Sequence, residues 1–344
     1  MDGTTQRRIE RVTMAHGGGG RAMRDLIDSV FTSVFQPPGN EDQARLMHSA
    51  LQEPGARLAF TTDSFVVTPI EFPGGDIGKI AVCGTVNDLA VGGARPLWLS
   101  AAFIIEEGCD IALLRRIAAS MQAEAQAAGV RIVTGDTKVV ERGKGDGVFV
   151  TTSGVGVIPA GRDLGAARIA AGDVAIVNGF LGDHGAAILA ARGDLALETA
   201  LHSDCAALGH LMETVLTAAP GVKAARDATR GGLASALNEM AAEAGVAVEL
   251  DETALPLRDE VRGMCEILGL DPLYLANEGT LVLFSPPDQA EAALAAMRSR
   301  PEGANAAIIG RALPAPAGRV TLRSPFGGAR IVDMLVGEQL PRIC

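Results

Sequence analysis

Four aspartates in this 344-residue chain stand where a strand or a glycine-rich turn is expected to meet the next element: Asp63, Asp88, Asp136 and Asp227. Carboxylates placed in that way supply the oxygen ligands that a hard cation such as Mg2+ takes, often bridging it to substrate phosphates. Each one alone could equally cap a helix or a turn. The four together, each among Thr, Ser, Gly or Asn, point toward a metal and a nucleotide.

Three further features carry chemistry. The run His16-Gly17-Gly18-Gly19-Gly20 can turn backbone N–H groups toward phosphate oxygens, with Arg21 opening the helix behind it, although glycine runs also serve as plain linkers. The sequence holds no Gly-x-x-x-x-Gly-Lys-Ser/Thr loop and no Gly-x-Gly-x-x-Gly turn between a strand and a helix, so a phosphate site here is of another kind. Lys138, one of only four lysines, follows Asp136-Thr137; a desolvated lysine can give up its proton and act as a base, whereas a solvated loop lysine is the plainer reading. Glu278, in Asn277-Glu278-Gly279-Thr280 before an apolar strand, could be a second base, a ligand or an exposed loop carboxylate.

The segment Gly337-Glu338-Gln339-Leu340-Pro341-Arg342-Ile343-Cys344 is the most unusual. Gly337 and Pro341 disfavour a closing helix or central strand, so the reading is a mobile tail from about Leu335 onward. A thiolate at Cys344 is a strong nucleophile that can carry an acyl-type group; its own α-carboxylate opposes ionisation and Arg342 favours it. A prenylation box would need the cysteine four residues from the end.

The elements that must position these residues follow from apolar spacing. A helix is expected over Arg21–Phe35, stopped by Gln36-Pro37-Pro38-Gly39, and a strand over Arg57–Thr62 running into Asp63. A helix over 78–92 carries Asn87-Asp88; a strand Leu97–Ile105, a helix capped by Asp110 and closed by Gly129, a short strand Val130–Thr134 into Gly135-Asp136-Thr137-Lys138, and a strand Val148–Ile158 complete the first half. The second half reads as strands at Asp173–Val177, near Val222, and at Val246–Leu250, Thr280–Phe284, Ala306–Ile309 and Val320–Arg323, with helices at 183–192, 205–219 and from Gly232 to Ala244. A faint echo links Asn87-Asp88-Leu89-Ala90 to Asn238-Glu239-Met240-Ala241. The class is mixed α/β (α+β), with two domains, mixed sheets and helices. The expected divisions are residues 1–40 (glycine loop and helix), 41–160, 161–333 and a tail of 334–344.

Composition narrows the function. Hydrophobic residues are 48% and charged residues 21%, a globular balance, and aromatics are only 3%, so the core rests on Ala, Val, Leu and Ile. A net charge of −11, with no basic cluster beyond Arg7–Arg8 and Arg11, argues against nucleic acid. No apolar run suits a signal peptide or a bilayer span, which gives the expectation of a soluble cytoplasmic protein. Cys83, Cys109, Cys205, Cys265 and Cys344 form no Cys-x-x-Cys pair and are odd in number, against a disulfide framework or structural zinc.

Read together, Pro341-Arg342-Ile343-Cys344, His16–Gly20, Thr61-Thr62-Asp63-Ser64-Phe65-Val66-Val67, Val86–Ala90, Gly135–Val139, Asp227-Ala228-Thr229-Arg230-Gly231-Gly232 and Asn277–Thr280 resemble the HypE family of hydrogenase-maturation factors. The internal motifs are shared more loosely with the wider PurM-like superfamily, the aminoimidazole-ribonucleotide synthetase-like ATP enzymes. The matches span residues 16–344 and depart at no motif position.

The resemblance implies a two-domain PurM-like fold and a homodimer. It implies ATP held by His16, Gly17, Gly18, Gly19, Gly20, Asp63, Ser64, Lys79, Asn87, Asp88, Asp136, Thr137, Asp227, Thr229, Gly231 and Gly232, with Mg2+ on Asp63, Asp88, Asp136 and Asp227. It further implies that the carbamoyltransferase HypF loads Cys344 and that ATP drives dehydration of the S-carbamoyl group to a thiocyanate, with Lys138 and Glu278 as bases. The cyanide then passes to iron on a HypC–HypD complex for a nickel–iron hydrogenase. A purine-pathway synthetase, a selenophosphate synthetase or a thiamine-phosphate kinase would share the Asp and glycine motifs without needing the cysteine. A nucleotide-regulated scaffold would need only a docking tail.

Overall fold

The computed structural model describes residues 10–38, 43–193, 199–337, 340 and 342–344. The expectations for residues 1–9, including Arg7–Arg8 and the lack of a leader, and for Gly39, Glu338, Gln339 and Pro341 lie outside the described residues.

The first half begins with a continuous helical run, α1 (Arg21–Leu26), a π turn (Ile27–Thr32) and α2 (Ser33–Phe35), ended by Gln36 in the left-handed region. Then come β1 (Arg57–Phe65), the two-residue strands β2 (Glu71–Phe72) and β3 (Gly75–Asp76), α3 (Ile77–Val91), β4 (Arg95–Glu106), α4 (Ile111–Ala128), β5 (Arg131–Val140) and β6 (Val148–Ile158). Four of these make a sheet in the order β1-β6-β4-β5, antiparallel except for the parallel β4–β5 pair. Along β1, Ala59, Thr61, Asp63 and Phe65 face the helices, while Leu58 and Phe60 on the other face are 63% and 68% exposed.

α3 and α4 cover the inner face, as their ends dictate. Asp76 caps α3 by accepting from Lys79 N, and Asp110 caps α4 by accepting from Ala112 N, with Gly129 in the left-handed region closing it as expected. α3 is buried on nearly all sides because it lies between the two halves of the chain. Its Val82, Cys83 and Val86 share a core with Leu99, Phe103 and Ile117, and Ala90 shares one with Leu208, Leu211 and Leu283 of the second half.

The second half holds β7 (Val174–Val177), α5 (Asp183–Arg192), α6 (Gly209–Ala218), β8 (Ala224–Asp227), α7 (Gly232–Ala244), β9 (Ala247–Asp251), α8 (Asp259–Leu268), β10 (Leu281–Ser285), α9 (Pro287–Arg298), β11 (Ala307–Leu313), β12 (Val320–Arg323) and β13 (Ala329–Val332). Its seven strands run β13-β12-β9-β11-β7-β10-β8, antiparallel except for β9–β12. All five cysteines are free, and among the described residues no helix is long and apolar enough to cross a membrane.

Three expectations are corrected. The strand read as Val130–Thr134 runs through Gly135, Asp136, Thr137 and Lys138 to Val140, because β5 pairs with β4 along its whole length; a Cβ on Gly135 would stand 2.2 Å from the Ala101 carbonyl oxygen. The helix read as 205–219 starts only at Gly209, since the segment before it is held extended by hydrogen bonds to Asn87 and the 278–280 backbone. The strand expected near Val222 begins only at Ala224; the tail, expected to move between an outward and an inward state, is docked at its end against the body here.

Candidate active site

Strand alternation brings Asp63 to the inner face of β1, Asp88 faces it from the last turn of α3, and Asp227 ends β8. Thr61, on the same face as Asp63, donates to Asp88 Oδ2 at 2.7 Å, and Ser64 N donates to Asp63 Oδ1 at 2.9 Å. Burial raises the affinity of all three carboxyls for protons. They also act on one another: Asp88 raises Asp63, and Asp227 is pushed up to about 7 by burial and then by the charges of Asp88 and Asp63. Carboxyls that oppose each other's ionisation are relieved by a divalent cation, so this trio fits Mg2+. Among the described residues no group of three His, Cys, Asp or Glu side chains is placed to hold a metal ion by itself, so the trio offers an ion its negative charge without enclosing it.

Asp136 is not part of that trio within one chain. It lies on β5, three strands from β1 in the sheet order, at a cavity of about 820 Å3 lined also by Gly19, Gly20, Arg24, Phe103 and Thr137. Thr137 Oγ1 is buried there without a hydrogen-bond partner, an orphan that a bound polar group would satisfy. Gly17 packs on β5, where an added Cβ would stand 3.0 Å from Val139 Cβ; His16 is buried and its Nδ1 accepts from Thr13 N at 2.9 Å. Lys138 is exposed and pairs in register with Ile104 on the outer face of the sheet.

Glu278 sits at the seam between the halves, 2% exposed, hydrogen-bonded to the Cys344 thiol, with its Oε1 buried and unpartnered. Burial drives its proton affinity well up, and Asp204 and Asp227 add to the effect. The Cys344 thiol is raised by burial and by Glu278 and opposed by Arg230, so the docked cysteine is a neutral thiol. Main-chain contacts fix the docking. His184 Nε2 bonds the Ile343 carbonyl at 2.8 Å, Arg192 Nη2 and Thr68 N donate to the Arg342 carbonyl at 2.9 and 3.2 Å, and the Arg342 side chain pairs with Asp146 at 2.6 Å.

Other expected contacts are already committed within the protein. The Asn87 amide joins the halves, donating to the Ala206 and Glu278 carbonyls and accepting from Leu208 N. Lys79 Nζ donates to the Gly74 carbonyl and pairs with Glu124. Ser64 shares a hydrogen bond with Thr151 on an exposed part of the sheet. Thr229 accepts from Gly232 N, and both Gly231 and Gly232 have positive φ; a Cβ on Gly232 would meet the Leu273 and Leu275 carbonyls at 2.4 and 2.6 Å. Sequence reasoning missed His184, Arg192 and Asp204, which no motif marks, and Arg230, which lay inside a motif it had quoted.

The domain models of AIR synthase related proteins match this chain twice: the N-terminal domain over residues 41–158 and the C-terminal domain over residues 170–323. The chain is 77% identical over 337 residues to carbamoyl dehydratase HypE of Rhodobacter capsulatus, covering 98% of this chain and 99% of the relative. The chain belongs to the HypE family of carbamoyl dehydratases. A crystal structure of the hydrogenase maturation protein HypE in complex with ATP superposes with a TM-score of 0.91 at 46% identity, covering 96% of this chain and 99% of that one. The HypE chain of a HypE–HypF complex superposes with a TM-score of 0.79 at 42% identity, covering 92% and 100%. The fold is thus the two-domain arrangement expected of HypE, and the carbamoyl dehydratase reading stands over the synthetase, kinase and scaffold alternatives.

Proposed function

We propose that this chain dehydrates an S-carbamoyl group on Cys344 to a thiocyanate at the expense of ATP, supplying cyanide for the iron of a nickel–iron hydrogenase. The observation that carries this reading is the placement of the Cys344 thiol beside Glu278 in the buried seam, near three mutually opposed aspartates. A carboxamide oxygen leaves poorly. Its phosphorylation by ATP makes it phosphate, and loss of both nitrogen protons then leaves the C≡N bond, so the elements of water depart in the phosphate and the released protons. Asp63, Asp88 and Asp227 would hold Mg2+, which would supply charge neutralisation for the phosphoryl transfer. Glu278 takes a proton from the carbamoyl nitrogen, Arg230 balances charge near the sulfur, and the buried seam excludes water from the product.

The partners follow from the same reading. HypF loads the tail in an outward state, and a HypC–HypD complex receives the cyanide in the cytoplasm. A second copy of the chain covers the outer face of the first sheet, where Leu58 and Phe60 are exposed together with Ile104 at 44%. Asp136 and Lys138 belong to β5, the edge strand of that sheet, and we assign them to the site of the partner copy. The test is the intact mass of the Cys344 peptide after loading by the carbamoyltransferase and again after Mg-ATP. Gain of one carbamoyl group followed by ATP-dependent loss of one water supports the reading. ATP hydrolysis with Cys344 unmodified overturns it.

A further inference from the structure

Asp204 lies in the extended segment before α6, far in sequence from the Glu278 turn, yet it touches three consecutive residues of that turn. Its Oδ1 accepts from Glu278 N at 3.0 Å, and its Oδ2 accepts from Gly279 N at 3.0 Å and lies 2.9 Å from Thr280 Oγ1. The approach is so close that a Cβ on Gly279 would stand 1.9 Å from the Asp204 carbonyl oxygen. Asn87 holds the Glu278 carbonyl from the other side at 3.3 Å. The Glu278 side chain itself has only the thiol, and its Oε1 has no partner, so its direction comes from its backbone.

We propose that Asp204 is a positioning residue for the reaction, whose carboxylate fixes the 278–280 backbone and so sets where Glu278 meets Cys344. The proposal rests on the function given above and names a residue that function does not use. Asp204 makes no ion pair among the described residues. Its carboxyl oxygens are satisfied by two backbone N–H groups and a hydroxyl, not by a cation, and these hydrogen bonds oppose the rise in proton affinity that burial imposes on it. Around Glu278 stand Asp204 from the extended segment, Asp227 from β8, Asp63 from β1, and the thiols of Cys344 and Cys205; Arg230 is the cation near the sulfur. Across a cavity of about 380 Å3 from Asp204, Asp183 is paired with Arg258. Asp204 therefore acts through the turn it grips.

Asp204→Asn keeps the side-chain shape and one acceptor but removes the charge. The experiment uses full-length protein loaded on Cys344 by the carbamoyltransferase and follows ATP-dependent loss of water in single turnovers over a series of ATP concentrations. The expected result is a plateau rate lowered about tenfold with the KM for ATP unchanged, and partial recovery in Asp204→Glu, which restores a carboxylate to the turn. A plateau rate equal to that of wild type, or a loss that appears only as a raised KM for ATP, overturns the proposal. If wild-type protein itself loses no water, the function given above has failed instead. Should the variant not fold, Thr280→Val, which removes one of the three groups that Asp204 holds, serves: a lowered single-turnover rate with the KM for ATP unchanged supports the proposal, and an unchanged rate overturns it.

Discussion

His184 has its imidazole buried between Ser203, whose hydroxyl is 2.8 Å from Nδ1, and the Ile343 carbonyl, with Phe72 meeting the ring edge-on. Burial pushes it down to about 4, against an ordinary value of 6.5. A histidine depressed in the folded state binds its proton first in the unfolded chain, so stability is complete above about 6.5 and falls as pH drops toward 4. That loss amounts to about 3 kcal/mol for this site. Denaturant unfolding across that range should show the acid limb in wild type and a weaker one in His184→Asn; identical curves would argue that the imidazole is not buried neutral. Asp63, Asp227, Glu278 and Cys344 were legible in the sequence because each stands in a local pattern. His184 was not, because its partner is 159 positions away and no spacing can encode such a contact.

At the scale of elements, α5 serves as the cradle for the tail. His184 in its first turn and Arg192 in its last reach consecutive carbonyls, Ile343 and Arg342, while Ile188 between them packs in the same core as Ile343. Arg342 is held at φ 55°, a left-handed conformation that costs a non-glycine residue about 1 kcal/mol, so the docked state needs those bonds to persist. Arg192→Ala should therefore loosen the tail. Alkylation of Cys344 by a maleimide is expected to quicken about tenfold, with global stability little changed. Equal alkylation rates in the two proteins would mean that other contacts set the docking. The helix itself was legible as 183–192, but its task was not, since amphipathic spacing records that a face is buried without recording what buries it. β5 was cut short in the sequence reading for the converse reason: Gly135 and Asp136 look like a turn locally, and only the parallel partner β4 makes them strand.

At the scale of the molecule, the proposed function gives the outward face of the first sheet to association and the seam around α3 to chemistry. Phe60→Asp should give a monomer by light scattering, with the fold retained, because the substitution falls on an exposed face. A stronger test mixes Lys138→Ala chains with Cys344→Ala chains. If Lys138 acts on the partner's cysteine, mixed dimers recover dehydration that neither parent shows, and a mixture as inactive as its parents would refute that assignment. The positions of most strands and helices could be read from hydrophobic spacing, whereas the strand order and the packing of the two halves through Asn87, which bonds main-chain atoms of Ala206, Leu208 and Glu278, could not.

The docked end of the chain has a consequence for how this family can diverge. Arg342 and Ile343 are gripped by their carbonyls, and the sulfur that must meet Glu278 follows one residue later. The fit is therefore arithmetic as much as chemical: inserting or deleting a single residue between the gripped carbonyls and the sulfur would leave every group intact and still miscount the chain past the base. Length, and not only residue type, is thus part of what the docked segment must get right.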